Sequence, residues 1–319
     1  MLKKILSAAV TAVMLAALTG CSAGTAATHG PDSDAICFTD ALGREVKVPS
    51  PPRRVAALIG SFADVWMLAG GTLCAAAEEA WKDFDLELGD AVNLGGAHSQ
   101  SLEQLLASDP DLVLASASTA SNTDMLETLE SAGITAAYFD IDCFEDYLEM
   151  LDICCRITGR QDLFRRNGLA LQERIQALKA GFAAAGLPER ERTVLLLRAS
   201  STSVKAKGSS GTILGEMLKD LGCINIADSD KTLLDTLSAE SVIRSEPYRI
   251  FVVTMGDDTD KALSNLSALM EKNPAWGTLE AVRENRLHLM DRKLFNIKPN
   301  AKWADSYEKL CNILLDKAQ

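Results

Sequence analysis

The chain has 319 residues and a formal net charge of −12 at pH 7. That length exceeds what a single hydrophobic core comfortably supports, and an apolar fraction of 47% is ample for two. The acidic balance argues against wholesale binding to nucleic acid.

At the N-terminus, Lys3 and Lys4 precede an uncharged run from Ile5 to Leu18, and Leu18-Thr19-Gly20 leads into Cys21. This is the basic region, apolar core and small-residue processing site of a signal peptide spanning residues 1–20. The run is shorter than the roughly 20 residues that cross a bilayer. A cysteine directly after Leu-Thr-Gly resembles the bacterial lipoprotein box, so Cys21 is expected to become the lipidated first residue of an extracytoplasmic, membrane-anchored chain. Loss of Lys3 and Lys4 would leave the mature chain at −14. Residues 21–34 are mostly small and polar and suit a flexible tether. Seven further cysteines are odd in number and show no C-x-x-C spacing, which speaks against a disulfide framework or a zinc knuckle. Most are expected to be small buried apolar residues.

From residue 35 to 160, strand-like segments at 55–59, 72–76, 112–116 and 135–139 alternate with helix-like ones at 62–69, 101–108, 122–132 and 144–158. Residues 161–187 carry apolar positions at Leu163, Phe164, Leu169, Leu171, Ile175, Leu178 and Phe182 with no proline before Pro188. They read as one interlobe helix, about 37 Å long from Gln161 to Ala185, weakened at Gly168 and stopped by Gly186-Leu187-Pro188. Residues 188–319 repeat the alternation, with strands near 193–198, 223–226, 250–254 and 286–290 and helices near 211–221, 238–245, 264–271 and 303–316. The two halves are related by an internal repeat at an offset of 137 residues. Ser101-Leu-Glu103 through Pro110 to Val113-Leu114 aligns without gaps on Ser238-Ala-Glu240 through Pro247 to Ile250-Phe251. Each copy starts a helix on a serine, breaks it before proline and enters an apolar strand. The expectation is an α/β fold of two doubly wound lobes with mainly parallel sheets, joined by one long interlobe helix.

Six stretches then coincide in order with one family. They are Phe38-Thr-Asp40 to Val48-Pro49, Pro52-Arg53-Arg54-Val55, Ser101-Leu-Glu103 to Val113, Gly211-Thr to Leu221-Gly222 and on to Asn225, Asn273-Pro274-Ala-Trp276, and Ala281-Val282-Arg283 to His288. Over nearly all of the mature chain, the sequence resembles the periplasmic binding proteins that serve ABC importers of ferric siderophores, cobalamin and haem. The resemblance implies a ligand cleft between the lobes, no enzymatic activity, no intrinsic cofactor, and partnership as a monomer with an importer permease and its ATPase. It also implies that one acid from each lobe docks on permease arginines, and by motif position these are Glu103 and Glu240. Paired charges of that kind fix orientation, although a glutamate in a helix's first turn also simply favours the helix dipole.

In doubly wound sheets ligands bind beyond the carboxyl ends of strands. The candidate ligand residues are therefore Ser61 and Phe62 after the first strand, Trp81 after the second, His98 before the repeat helix and Ser116 after the third. In the second half they are Arg198, Thr202 and Lys205, then Met255, then Arg292. Neighbours in the same positions are Gly60, Asp64, Ser99, Ser118, Ser201, Gly256, Lys293 and Lys298. The second lobe is the basic one, and arginine suits bidentate contact with carboxylates or catecholates. That points to a small-molecule metal chelate, a ferric siderophore first, with cobalamin or haem as alternatives. No direct metal site is expected, because His29 falls in the tether and His288 in a strand, leaving only His98 near the cleft. A cytosolic chelatase-like enzyme and a structural lipoprotein are the rival readings; the leader opposes the first, and the second needs no cleft.

Overall fold

The computed structural model describes residues 35–316 apart from Asp257; the leader, Cys21, the tether and His29 lie outside the described residues. The first lobe opens on an antiparallel hairpin, β1 (Ile36–Thr39) and β2 (Glu45–Val48). Its turn follows from two residues. The Asp40 carboxylate accepts the backbone N–H groups of Leu42 and Arg44, and Gly43 supplies a φ of 75°. Arg44 pairs with Asp40 and donates to Ala136 O, which fastens the hairpin to the sheet.

Five parallel strands follow: β3 (Val55–Ala57), β4 (Ala75–Ala76), β5 (Val92–Asn93), β6 (Leu112–Ser116) and β7 (Thr135–Phe139), in the spatial order β5-β4-β3-β6-β7. Their helices are α1 (Gly60–Leu68), α2 (Glu79–Lys82), α3 (Leu102–Ala107), α4 (Ala120–Thr123), α5 (Leu126–Ser131) and α6 (Phe144–Thr158). All five residues of β6 are buried, as expected where helices cover both faces. Asp111 sets the register of β3 on β6 by accepting the backbone N–H groups of Arg53 and Arg54 at 2.8 and 3.0 Å.

The connection is helical throughout: α7 (Gln161–Phe164), a π-helical turn at Arg165–Leu169 and α8 (Ala170–Ala184). The π turn contains Gly168, where a Cβ would stand 2.8 Å from Leu148 Cδ1 on α6. Glycine there lets α6 lie directly on the connector.

The second lobe comprises β8 (Thr193–Ser200), β9 (Val204–Lys207), α9 (Ile213–Asp220), β10 (Ile224–Asn225), α10 (Lys231–Thr236), α11 (Ala239–Ser245), β11 (Arg249–Met255), α12 (Thr259–Lys272), α13 (Glu280–Arg283) and β12 (Leu287–Met290). The parallel order β10-β8-β11-β12 reproduces β4-β3-β6-β7 of the first lobe, while β9 runs antiparallel along the carboxyl half of β8. The chain ends in α14 (Arg292–Phe295) and α15 (Trp303–Leu314).

One buried apolar cluster continues beneath both sheets. It runs from Trp66, Leu112 and Ile157 through Ile175 and Phe182 of α8 and Trp303 and Leu310 of α15 to Val194, Leu196 and Phe251. Arg174 of α8 pairs with Asp305 and Glu308 of α15. The lobes thus share a floor, and a groove can open only above it.

A second tie crosses between the lobes at the start of α14. Arg292 grips Asp83 with two hydrogen bonds of 2.6 and 3.1 Å, and Asn300 donates to Ser61 O and Asp64 at 2.9 and 2.8 Å. The Asp83 side chain is only 12% exposed, so its pair is poorly screened; Asp85, paired with Lys293, is 79% exposed. Asp83→Ala should therefore lower the unfolding free energy by about 1–3 kcal/mol. Asp85→Ala should change it by less than about 0.5 kcal/mol, so urea unfolding that ranks the two the other way would remove Arg292 as a lobe tie.

Candidate functional site: a cleft between the lobes

A cavity of about 530 Å³ opens where the carboxyl ends of the two sheets face each other. His98, Ser118, Ile141 and Asp142 line it from the first lobe, Arg198, Thr212, Ile213 and Met255 from the second, and Asn296 and Lys298 from the segment after α14. No aromatic side chain lines it among the described residues.

Loop geometry sets the first-lobe wall. Gln100 is buried and donates to Leu58 O and Ala97 O at 2.6 and 2.7 Å, which pins the loop over the end of β3 and leaves His98 exposed. At the end of β6, Ser116 is 4% exposed, and its hydroxyl accepts from the Ser118 N–H and the Thr119 hydroxyl. Ser116 thus builds the turn while Ser118, two residues later, reaches the cavity and donates to Asp140 at 3.0 Å. After β7, Asp146 accepts the backbone N–H groups of Asp142 and Cys143, both at 2.9 Å. Asp142 is left facing the cavity, and burial pushes its carboxyl above the ordinary value, with Asp140 adding to the shift.

The second-lobe wall is cationic. Arg198 lies within β8 directly opposite Lys205 of β9. Like charges in that cross-strand position repel. The Arg198 Nε is buried without a hydrogen-bond partner, and burial lowers the pKa of the guanidinium. Lys207 is pulled down by burial and then by Arg198 and Lys205. Burial likewise lowers Lys298, against the opposing pull of Asp142 and Asp140. Among the described residues none of these four cations has an ion-pair partner within 4 Å.

The structure brings His98, Arg198 and Met255 to the cavity and puts Lys205 beside it. Thr202 is exposed in the β8–β9 turn. It does not bring Ser61, Phe62, Trp81, Ser116 or Arg292 there. Gly60 explains the first three: its position for a Cβ lies 2.7 Å from the backbone of Glu79 and Ala80, so α2 covers the end of β3. Beneath that cover Ser61 and Phe62 are 4% and 1% exposed, and Phe62 meets Phe139 edge-on at 6.2 Å. Trp81 is half-buried on α2 against the core. Arg292 is held by Asp83, as described above.

Glu103 and Glu240 occupy the same place in the two lobes. Each is the second residue of its helix, α3 or α11, after a capping serine: Ser101 accepts from Gln104 N–H and Ser238 from Ser241 N–H. Both are exposed. In parallel α/β units a helix begins at the carboxyl end of the sheet, so both acids stand on the face that carries the cleft.

The periplasmic binding protein family model matches residues 55–294. YhfQ of Bacillus subtilis (strain 168), named as an ABC transporter substrate-binding lipoprotein, is 21% identical over 97% of this chain and 95% of its own. Staphylococcus aureus SirA complexed with staphyloferrin B superposes with a TM-score of 0.66 at 20% identity, covering 88% of this chain and 97% of SirA. Apo RhuT, a periplasmic haem-binding protein of Roseiflexus sp. RS-1, gives 0.66 at 20% identity, covering 84% and 99%. The chain belongs to the periplasmic binding protein family, the solute-binding proteins of ABC transporters, and is not an enzyme.

Proposed function

We propose that the protein is a lipid-anchored, extracytoplasmic substrate-binding component that captures an anionic ferric siderophore in the interlobe cleft. It then presents the chelate, as a monomer docked through Glu103 and Glu240, to the permease of its importer. One observation carries the ligand assignment: Arg198, Lys205 and Lys207 gather at one wall without an ion-pair partner among the described residues, although the chain's net charge is −12. Unpaired cations held close together cost stability that an anionic ligand repays. SirA, a structural relative in complex with staphyloferrin B, agrees with this class of ligand.

Haem is the second reading, because His98 at the cavity wall is a possible axial ligand. The absence of aromatic side chains from the described lining disfavours it and cobalamin alike.

A thermal-shift screen of the mature chain against ferric siderophores, cobalamin, haem and free Fe³⁺ tests the assignment, since a ligand bound to the native state stabilises by RT ln(1 + [L]/Kd). Stabilisation by chelated iron supports it; stabilisation by haem or by free metal alone overturns it. In calorimetric titrations with a ferric siderophore that binds, Arg198→Ala should weaken affinity by about 1.5–3 kcal/mol, the loss of a charge-assisted hydrogen bond. Unchanged affinity would take Arg198 out of the site.

A further inference from the structure

The cleft is polarised, and the first-lobe wall is not what a plain polyanion would meet with profit. Asp142 lines the cavity with no hydrogen bond to its carboxylate among the described residues, while Asp146 holds the turn by accepting the backbone N–H groups of Asp142 and Cys143 and the Cys143 thiol. Asp140, two residues earlier, is exposed and accepts the hydroxyl of the cavity-lining Ser118. Lys298 lies near both without touching either, so a single ammonium faces two carboxylates. One negative charge is left over on this side, across the groove from Arg198, Lys205 and Lys207.

We propose that the cleft selects a chelate carrying a free primary amine beside its anionic groups, with the ammonium at Asp142 and Asp140 and the anions at Arg198 and Lys207. This rests on the siderophore reading above and narrows it. Carboxylates are acceptors only, so the group they take must bring N–H donors as well as positive charge. A quaternary or acylated nitrogen does not qualify. Lys298, placed between the walls, keeps the two carboxylates from repelling the anionic end of the same ligand.

The test compares three iron complexes on the full mature chain by calorimetry: ferric citrate, the ferric complex of the citrate–ethylenediamine monoamide, which retains one free amine, and its N-acetylated twin. Ferrioxamine and ferric 2,3-dihydroxybenzoate serve as chelates of other chemistry. The free-amine complex should bind about tenfold or more tighter than its acetylated twin, the range expected for a charge-assisted hydrogen bond. Asp142→Asn should remove that difference between the two twins. Among the described residues Asp142 makes its hydrogen bond to the fold through its backbone N–H, so this variant should unfold close to the wild type. Equal binding of the two twins to the wild type, or an amine preference that survives Asp142→Asn, overturns the amine site and leaves the siderophore reading standing where any of the five complexes binds. Failure of all five overturns both.

Discussion

Replacing Glu103 and Glu240 together with alanine should abolish uptake of the ligand by whole cells while leaving its affinity for the protein unchanged. The two carboxylates are exposed, symmetrically placed after capping serines and outside the cavity lining. The capping itself is done by Ser101 and Ser238, whose hydroxyls accept from Gln104 and Ser241 N–H at 3.2 and 3.3 Å. What the glutamates add to helix stability is therefore limited to the dipole effect, about 0.3–1 kcal/mol each, too little to unfold a lobe. Their exposure leaves them open to an oppositely charged partner, and two charges at equivalent places in the two lobes would define orientation as well as attraction. Each single variant should retain partial uptake, and arginine at both positions should be as inactive as alanine. Labelled-iron uptake at the wild-type rate in the double alanine variant would show that the acids do not dock; a large loss of affinity would place them in ligand binding instead.

Segments with strong periodicity were legible in the sequence, and short paired ones were not. The α6 boundaries expected at 144–158 coincide with Phe144–Thr158, because its apolar positions recur at helical spacing between Cys143 and a left-handed Gly159. Likewise β6 and β11 stand out as apolar runs. The β8–β9 hairpin escaped, since Val204-Lys-Ala-Lys207 is four residues long and half charged, and Arg198 looks like the end of an apolar strand. Pairing with β9 as far as Ala199 and with β11 as far as Met255 instead carries β8 on to Ser200. The lining of the candidate cavity was legible only in part, for related reasons. His98, Arg198 and Met255 follow from the rule that ligands lie beyond strand ends, and the same rule applied after β7 points to Asp142. Phe62 obeys the rule in sequence, yet α2 closes over it through the bare Cα of Gly60, a contact between residues 60 and 80 that no local pattern encodes. Arg292 was drawn away by Asp83, 209 residues distant. Unpaired charge is a property of three-dimensional surroundings, so sequence alone lists the cations but does not say which ones lack partners.

Arg249→Met should destabilise the second lobe by about 2–4 kcal/mol, far more than Asp316→Ala at the other end of the same ion pair. The Arg249 side chain is 0% exposed at the first position of the central strand β11, whereas Asp316 is 62% exposed. Its guanidinium donates to Glu191 O at 2.7 Å, to Leu314 O at 2.9 Å and to Asp316 at 2.9 Å, and it stacks over Tyr248 at 4.7 Å. Methionine would fill much of the volume but leave both carbonyls without that donor, Leu314 O at the end of α15 in buried surroundings. Losing Asp316 instead leaves the guanidinium its acceptors Glu191 O and Leu314 O, and because Asp316 is 62% exposed, water can take the place of its carboxylate. The consequence reaches the cleft, since α15 packs on α8 and its Trp303 and Leu310 belong to the floor shared by the two lobes. Loosening its C-terminal end should therefore reduce ligand affinity in Arg249→Met although Arg249 does not line the cavity. Urea unfolding that finds the two variants equal would show that the ion pair, not the carbonyl anchoring, is what the buried arginine supplies.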